Sequence, residues 1–188
     1  MSTGKTMTTT LYGQVDSAII EKAKQIKLLV CDIDGVFSDG RIYLGNDGEE
    51  LKAFNTKDGF GIKAVGQNGV DVAVITGRKS NIVQNRMRAL NVKFIVQGQE
   101  DKMPALIDIA NQLSIDLEQI AYIGDDVPDL PCIEQVGFGV AVNDAHPLVK
   151  NGADYITFLA GGCGAVRELC DLIMQSQNTL HLATGASV

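Results

Sequence analysis

A recurring unit constrains this 188-residue chain more than any other feature: a short apolar run that stops at a polar turn, followed by a stretch with helical spacing. The run Ile26-Lys27-Leu28-Leu29-Val30-Cys31 ends on Asp32. Residues 70–75 end in Thr76-Gly77-Arg78, residues 93–96 in Gln97-Gly98, residues 120–123 in Gly124-Asp125-Asp126, and residues 139–142 in Asn143-Asp144. A shorter run, Tyr155-Ile156-Thr157, follows. Short, nearly all-apolar segments suit strands buried on both faces of a parallel sheet. Between them, residues 59–67, 80–90, 104–113 and 129–135 have helical character, and residues 15–25 form a short amphipathic helix ahead of the first strand. Pro104 fits a first helical turn, and Gly69 and Asn91 fit helix C-terminal caps. The alternation predicts an α/β fold: a Rossmann-like, three-layer architecture with a mainly parallel central sheet.

One segment interrupts the alternation. Residues 41–44, the turn Gly45-Asn46-Asp47-Gly48 and residues 49–54 read as a β-hairpin inserted directly after the first strand, spanning about 40–54. Its residues Ile42, Leu44, Leu51 and Phe54 are expected to form one apolar face. No repeat or linker divides the chain, so residues 12–175 are expected to form a single domain. Residues 1–11 and 176–188, rich in Ser, Thr, Ala and Gly without periodicity, are expected to be flexible tails.

A net charge of −7 and the lack of a long basic run argue against a nucleic-acid partner. No segment approaches the roughly 20 apolar residues of a membrane span, and the start has no continuous apolar signal core, so a cytoplasmic protein is expected. Cys31, Cys132, Cys163 and Cys170 include no Cys-x-x-Cys pair, and Cys31 inside its apolar run reads as a buried thiol.

In open α/β sheets ligands bind beyond the carboxyl ends of the strands. Asp32 and Asp34, Thr76 and Arg78, and Asp125 and Asp126 stop the apolar runs at those ends. Clustered carboxylates resist ionising together, and a divalent cation removes that conflict; an all-oxygen ligand set favours Mg²⁺. An Asp beside such a cation can attack phosphorus, and a second can protonate the leaving oxygen and later activate water. Thr76 can donate a hydrogen bond to a phosphoryl oxygen, and Lys102 can supply positive charge. Each residue alone has an ordinary reading: helix cap, turn or solvated lysine. Their order and spacing along the chain carry the signal.

Asp32-Ile33-Asp34-Gly35-Val36, Thr76-Gly77-Arg78, Lys102 and Gly124-Asp125-Asp126 resemble the four motifs of the haloacid dehalogenase superfamily of phosphohydrolases, over about residues 12–175. The resemblance implies that Asp32 is nucleophile and metal ligand, and that Asp34 is the acid/base and lends its main-chain carbonyl to the metal. It implies Asp125 as the remaining ligand, with Thr76 and Lys102 holding phosphate. Thr76 follows Asp32 by 44 positions and Asp125 follows Lys102 by 23, leaving no room for a cap domain. Residues 36–40, 58–63, 145–147 and 161–168 are similar to a capless, homotetrameric subfamily acting on 3-deoxy-D-manno-octulosonate 8-phosphate in lipopolysaccharide biosynthesis. In that subfamily the hairpins associate, and neighbouring subunits help close each site.

A phosphorylated sugar acid needs cations beyond the phosphate grip. The resemblance implies Arg78 and Arg86, taken as lying roughly on one helical face, with Asn55, Thr56, Lys57, Asp58, Gly59, Lys63 and Gly77 contributing. His146 before Pro147 reads as a helix entrance. Many relatives carry a basic residue where this chain has Cys163. The alternatives are a phosphatase of nine-carbon sugar-acid phosphates, a phospho-receiver module and a non-catalytic assembly domain. The spaced pair Asp32/Asp34 and the position of Asp125-Asp126 after Lys102 argue against the last two.

Overall fold

The computed structural model describes residues 6–183. In chain order the elements are β1 (Met7–Thr9), β2 (Gln14–Asp16), α1 (Ser17–Lys24), β3 (Leu28–Cys31), β4 (Tyr43–Leu44), β5 (Glu50–Leu51), α2 (Thr56–Gln67) and β6 (Asp71–Thr76). Then follow α3 (Asn81–Ala89), β7 (Phe94–Gln97), α4 (Met103–Leu113), β8 (Ile120–Gly124), α5 (Leu130–Gln135), β9 (Phe138–Ala141), α6 (Pro147–Gly152), β10 (Tyr155–Ile156) and α7 (Ala165–Ser176). The central sheet has six strands in the order β10-β9-β8-β3-β6-β7, and every pairing in it is parallel. All four residues of β3 are buried, because neighbours cover it on both edges and helices on both faces.

The chain runs from β3 to β6 and β7, then crosses back to β8 on the other side of β3. Strand order therefore reverses next to β3, and the crevice there is where such sheets bind ligands. Right-handed crossovers place α2 on one face and α4, α5 and α6 on the other. Helix α7 packs against α1 and α2 and completes the first layer.

Local chemistry sets the helix boundaries. Helix α2 begins three residues earlier than its apolar spacing suggests, because Asn55 accepts from the Lys57 N–H and caps it. Pro104 lies in the first turn of α4, and Gly69 (φ +91°) and Asn91 (φ +61°) adopt the left-handed conformation just past their helices, as expected. His146 Nδ1 accepts the Leu148 N–H at 3.2 Å and caps α6.

Four features differ from the sequence reading. Helix α7, read there only as part of a glycine-rich segment, is a long buried helix that reaches Ser176, past the expected domain end. The stretch read as an N-terminal tail contains β1, which pairs with β2 and whose Thr8 hydroxyl hydrogen-bonds Ser17. At the other end, Leu180 packs against the core within a turn at Leu180–Leu182, while residues 1–5 and 184–188 lie outside the described residues. The hairpin's single apolar face is not realised. Tyr43 pairs with Leu51 and Leu44 with Glu50, so Leu44 and Leu51 point to opposite faces, and Phe54 lies beyond the ladder against the core. Ile42, Tyr43, Leu44 and Leu51 are all exposed in the single chain.

Candidate active site

The carboxyl ends of β3, β6 and β8 open into a cleft of about 460 Å³ lined by Asp32, Asp34, Thr76, Gly77, Arg78, Lys102, Asp125 and Asp129, with Gly40, Glu100, Asp126 and Pro128 at its margins. Asp32 directly follows β3 and is buried, its N–H bonded to the Ile123 carbonyl at 3.1 Å. Thr76, the last residue of β6, is also buried. The motif residues thus converge because three adjacent parallel strands stop at one level.

Lys102 is buried at the floor, with Nζ 2.8 Å from Asp32 Oδ1 and 2.6 Å from Asp129 Oδ1. The sequence reading missed Asp129 as a site residue. Its Oδ1 also accepts from the Tyr122 hydroxyl at 2.7 Å, and its Oδ2 accepts the N–H groups of Asp125 (3.1 Å) and Asp126 (3.3 Å). Four donors occupy this carboxylate, so Asp129 serves to fix Lys102 and the turn carrying Asp125. The signal lay in the full run Gly124-Asp125-Asp126-Val127-Pro128-Asp129, whose last acid is placed to reach back over the turn. Asp126 is exposed and accepts from the Val127 N–H, an N-capping role.

Oxygens of Asp32, Asp125 and Asp129 lie within 4.8 Å of one another. Burial, followed by the charge of Asp129, raises the Asp32 carboxyl above the usual range against the pull of Lys102. Burial and then the charges of Asp32, Asp129 and Asp126 raise Asp125. Carboxylates held this close resist ionising together, and a hard dication relieves that opposition. With Asp129 saturated by its donors, Asp32 and Asp125 are the side chains suited to hold Mg²⁺. Gly35, at φ +91°, leaves room for Asp125; a Cβ there would overlap its carboxylate.

The Asp34 side chain stands apart from that cluster and is paired with Lys52, a residue outside the predicted set. The Lys52 side chain is only 1% exposed and lies 3.5 Å from Glu50 Oε1; Glu50 Oε2 in turn accepts from Arg78 at 3.1 Å. Two hairpin side chains, Lys52 and Glu50, therefore contact Asp34 and Arg78 of the chain's own cleft, while Ile42, Tyr43, Leu44 and Leu51 are exposed.

The predicted sugar-acid residues divide. Gly77 and Arg78 line the cleft. Asn55 and residues 56–59, read as a loop, are instead the cap and first turn of α2 and do not line it. Asp58 is fully buried and accepts the Arg167 N–H at 2.8 Å, so it anchors the start of α7. The Asn55 side chain reaches the Gly162 carbonyl at 3.3 Å. Lys63 borders a separate groove with Asp71, Asn91 and Lys93, near the amino ends of β6 and β7. Arg86 lies in the last turn of α3, whereas Arg78 precedes that helix, so the expected common face does not exist.

The glycine-rich segment supports the catalytic loop from behind. Gly161 packs so tightly on Gly35 that a Cβ would overlap the Gly35 carbonyl, and the Gly162 N–H donates to the Val36 carbonyl at 2.9 Å. Asp144 accepts the Gly161 N–H, and buried Glu168 accepts from the Phe158 and Leu159 N–H groups and from the Tyr155 hydroxyl. Cys163 is exposed and does not line the cleft.

Comparison with known proteins gives the family. Residues 94–160 match a family model described as haloacid dehalogenase-like hydrolase. The 3-deoxy-D-manno-octulosonate 8-phosphate phosphatase of Escherichia coli strain K12 is 50% identical over 179 residues, covering 95% of each chain. This chain belongs to that phosphatase family within the haloacid dehalogenase-like hydrolases. A crystal structure of the Yersinia pestis phosphatase of that name superposes with a TM-score of 0.96 at 49% identity, covering 98% of this chain and 100% of that one. The Moraxella catarrhalis phosphatase, solved with magnesium, phosphate and 3-deoxy-D-manno-octulosonate, gives a TM-score of 0.87 at 44% identity, covering 88% and 95%. The expected fold is the one observed: three layers, a parallel central sheet and, among the described residues, a hairpin and no cap domain in the insertion after β3.

Proposed function

We propose that this chain is a Mg²⁺-dependent phosphomonoesterase that converts 3-deoxy-D-manno-octulosonate 8-phosphate to the free sugar acid and inorganic phosphate. The observation that carries the reading is the buried Asp32 carboxylate held 2.8 Å from Lys102 at the floor of an open cleft. This is a preset nucleophile beside a cation, with space above it for a phosphoryl group.

Asp32 and Asp125, with the main-chain carbonyl of Asp34, would hold Mg²⁺, which when bound offsets the carboxylate charge and polarises the phosphoryl group. An Asp32 oxygen attacks phosphorus; the new O–P bond forms as the ester O–P bond breaks, and Asp34 gives its proton to the departing sugar oxygen. Asp34 then takes a proton from water attacking the aspartyl-phosphate, which frees inorganic phosphate and restores Asp32. Thr76 and Lys102 hold the phosphoryl oxygens through both steps. Arg78, exposed at the rim, meets the sugar carboxylate as a bidentate donor.

The exposed hairpin residues Ile42, Tyr43, Leu44 and Leu51 support a homotetramer in which neighbouring chains close each open cleft. In that assembly Arg86 reaches substrate only across a subunit boundary. Light scattering is expected to give a tetramer; a fully active monomer would rule the assembly out. Among the described residues no helix is long and apolar enough to cross a membrane, and we place the enzyme in the cytoplasm, supplying the lipopolysaccharide sugar. The deciding experiment is a phosphate-release screen over phosphorylated sugar acids. The eight-carbon substrate is expected to have the highest kcat/KM; a nine-carbon sialate-type substrate turning over faster would overturn the assignment.

A further inference from the structure

Lys52 directly follows the hairpin's second strand, β5. Its side chain is 1% exposed, although its neighbour Leu51 is 65% exposed at the surface. Burying an ammonium is costly unless it is paired, and two carboxylates face this one: Asp34 in direct contact, and Glu50 with Oε1 at 3.5 Å. Glu50 Oε1 is itself buried with no hydrogen-bond partner, so the nearby ammonium is what compensates it. The other Glu50 oxygen is held by Arg78 at 3.1 Å. A chain of alternating charge thus runs Asp34, Lys52, Glu50, Arg78, from the acid/base to the cleft rim.

An ordinary surface salt bridge would leave both partners exposed and contribute little. Here the lysine stem is covered and its partner is the one carboxylate of the Asp32-x-Asp34 pair that stands outside the Asp32, Asp125 and Asp129 cluster. Asp34 is anchored by Lys52 in the way that Asp32 is anchored by Lys102. Proton transfer to a leaving oxygen depends on holding the donor within hydrogen-bond reach of it. We infer that Lys52, carried by the hairpin and steadied by Glu50, is a positioning residue that holds the Asp34 carboxylate toward the leaving oxygen. This rests on the reading of Asp34 as acid/base given above.

The role makes a prediction that depends on the leaving group. A sugar alkoxide must be protonated as it departs, whereas p-nitrophenolate leaves as a stable anion without a proton. The quantity kcat/KM reports the steps up to transfer of phosphoryl to Asp32. Misplacing Asp34 therefore lowers kcat/KM for an alkyl phosphate and largely spares p-nitrophenyl phosphate. A lysine that only supports the fold would affect both alike, and one that grips the sugar carboxylate would raise KM for the sugar acid without altering kcat.

The test uses the full-length Mg²⁺-loaded enzyme with K52M, K52Q and K52R, assayed on 3-deoxy-D-manno-octulosonate 8-phosphate, on glycerol phosphate (an alkyl ester without a carboxylate) and on p-nitrophenyl phosphate. For K52M and K52Q we expect kcat/KM on both alkyl esters to fall about 10- to 100-fold, less than the roughly 100- to 10,000-fold that general acid-base catalysis supplies because Asp34 itself remains, and on the aryl ester by less than about threefold. K52R should recover most of the alkyl activity. An equal fall on all three substrates, or a loss confined to the KM of the sugar acid, would overturn the proposal. D34N separates the two readings: if D34N keeps alkyl turnover, the acid/base assignment itself fails, whereas loss in D34N with no leaving-group dependence in K52M and K52Q refutes only the role of Lys52. If K52M does not fold, K52Q and K52R carry the same comparison.

Discussion

Removing the Asp129 carboxylate tests whether this side chain organises the cleft. Asp129 is 1% exposed and accepts from Lys102 at 2.6 Å, Tyr122 at 2.7 Å and the N–H groups of Asp125 and Asp126 at 3.1 and 3.3 Å. Asp129→Ala removes all four acceptances. It strands a buried phenol whose ionisation is already suppressed by burial and by this carboxylate, and leaves the Lys102 ammonium with Asp32 as its remaining carboxylate partner. One buried polar group left unpaired costs about 1–3 kcal/mol, and breaking one side of a buried ion pair about 3–5 kcal/mol. Because the contributions overlap in one network, a total of about 3–5 kcal/mol is expected for unfolding in urea. In turnover, a Lys102 free to swing away from the phosphoryl group corresponds to about 1.4–2.7 kcal/mol of barrier, or roughly 10- to 100-fold in kcat. Asp129→Asn is a sharper variant. Its Oδ1 can still serve Lys102 and Tyr122, but its amide nitrogen would face the Asp125 and Asp126 N–H groups, donor against donor. It should therefore affect the metal-bearing turn most, seen as a raised Mg²⁺ requirement. If Asp129→Ala unfolds within about 0.5 kcal/mol of the parent and turns over within about twofold, Asp129 does not organise the cleft.

Three further outcomes follow from the same geometry. Burial raises the Asp58 carboxyl to about 6, against the lowering effect of N–H donors from Arg167 and Gly164, and its Oδ2 has no hydrogen-bond partner. A folded-state value above the ordinary value of about 3.9 means that stability from the protonated form is fully present below that value and lost as pH rises through about 6. Asp58→Asn keeps the acceptor for Arg167 and removes the ionisation. Its stability relative to the parent should thus rise by up to about 3 kcal/mol between pH 4 and pH 7 in denaturant titrations, and parallel curves would refute the burial argument. EDTA should abolish phosphate release and Mg²⁺ restore it, because Asp32 and Asp125 crowd within 4.8 Å; full activity after exhaustive chelation would contradict this. A Cβ at position 161 would overlap the Gly35 carbonyl, so Gly161→Ala should lower kcat at least tenfold by shifting the Asp32–Asp34 loop, and unchanged kcat would show that the loop does not need this support.

The residues legible in sequence are those placed by the ends of strands. Asp32, Thr76 and Asp125 each follow or end an apolar run, and parallel pairing brings such ends to one level whatever the side-chain detail. Lys102 was readable by its order between those motifs. Asp129 was less so, because its role depends on a turn folding back so that one carboxylate meets four donors. Lys52 and Glu50 were invisible for a different reason: alternation places them in a strand, but only the tertiary path of the hairpin brings them to Asp34 and Arg78. Asp58 was misread because a polar residue beside a predicted loop looks available to ligand, whereas Asn55 starts a helix there and turns Asp58 inward to cap α7. Helix α7 escaped notice because three glycines precede it and Arg167, Glu168 and Asp171 obscure its apolar pattern. Two of those charges are buried, Glu168 by bonding two main-chain N–H groups and Asp171 by pairing with Arg167 and Tyr12.

The central claim is that phosphorus passes through Asp32. Rapid mixing of the Mg²⁺-loaded enzyme with radiolabelled substrate, followed by acid quench and peptide mapping, tests it directly. A hydroxylamine-labile label is expected on the peptide containing Asp32, formed and lost at rates compatible with turnover and absent in Asp32→Asn. Turnover at an undiminished rate with no label, or label on another residue, would contradict it.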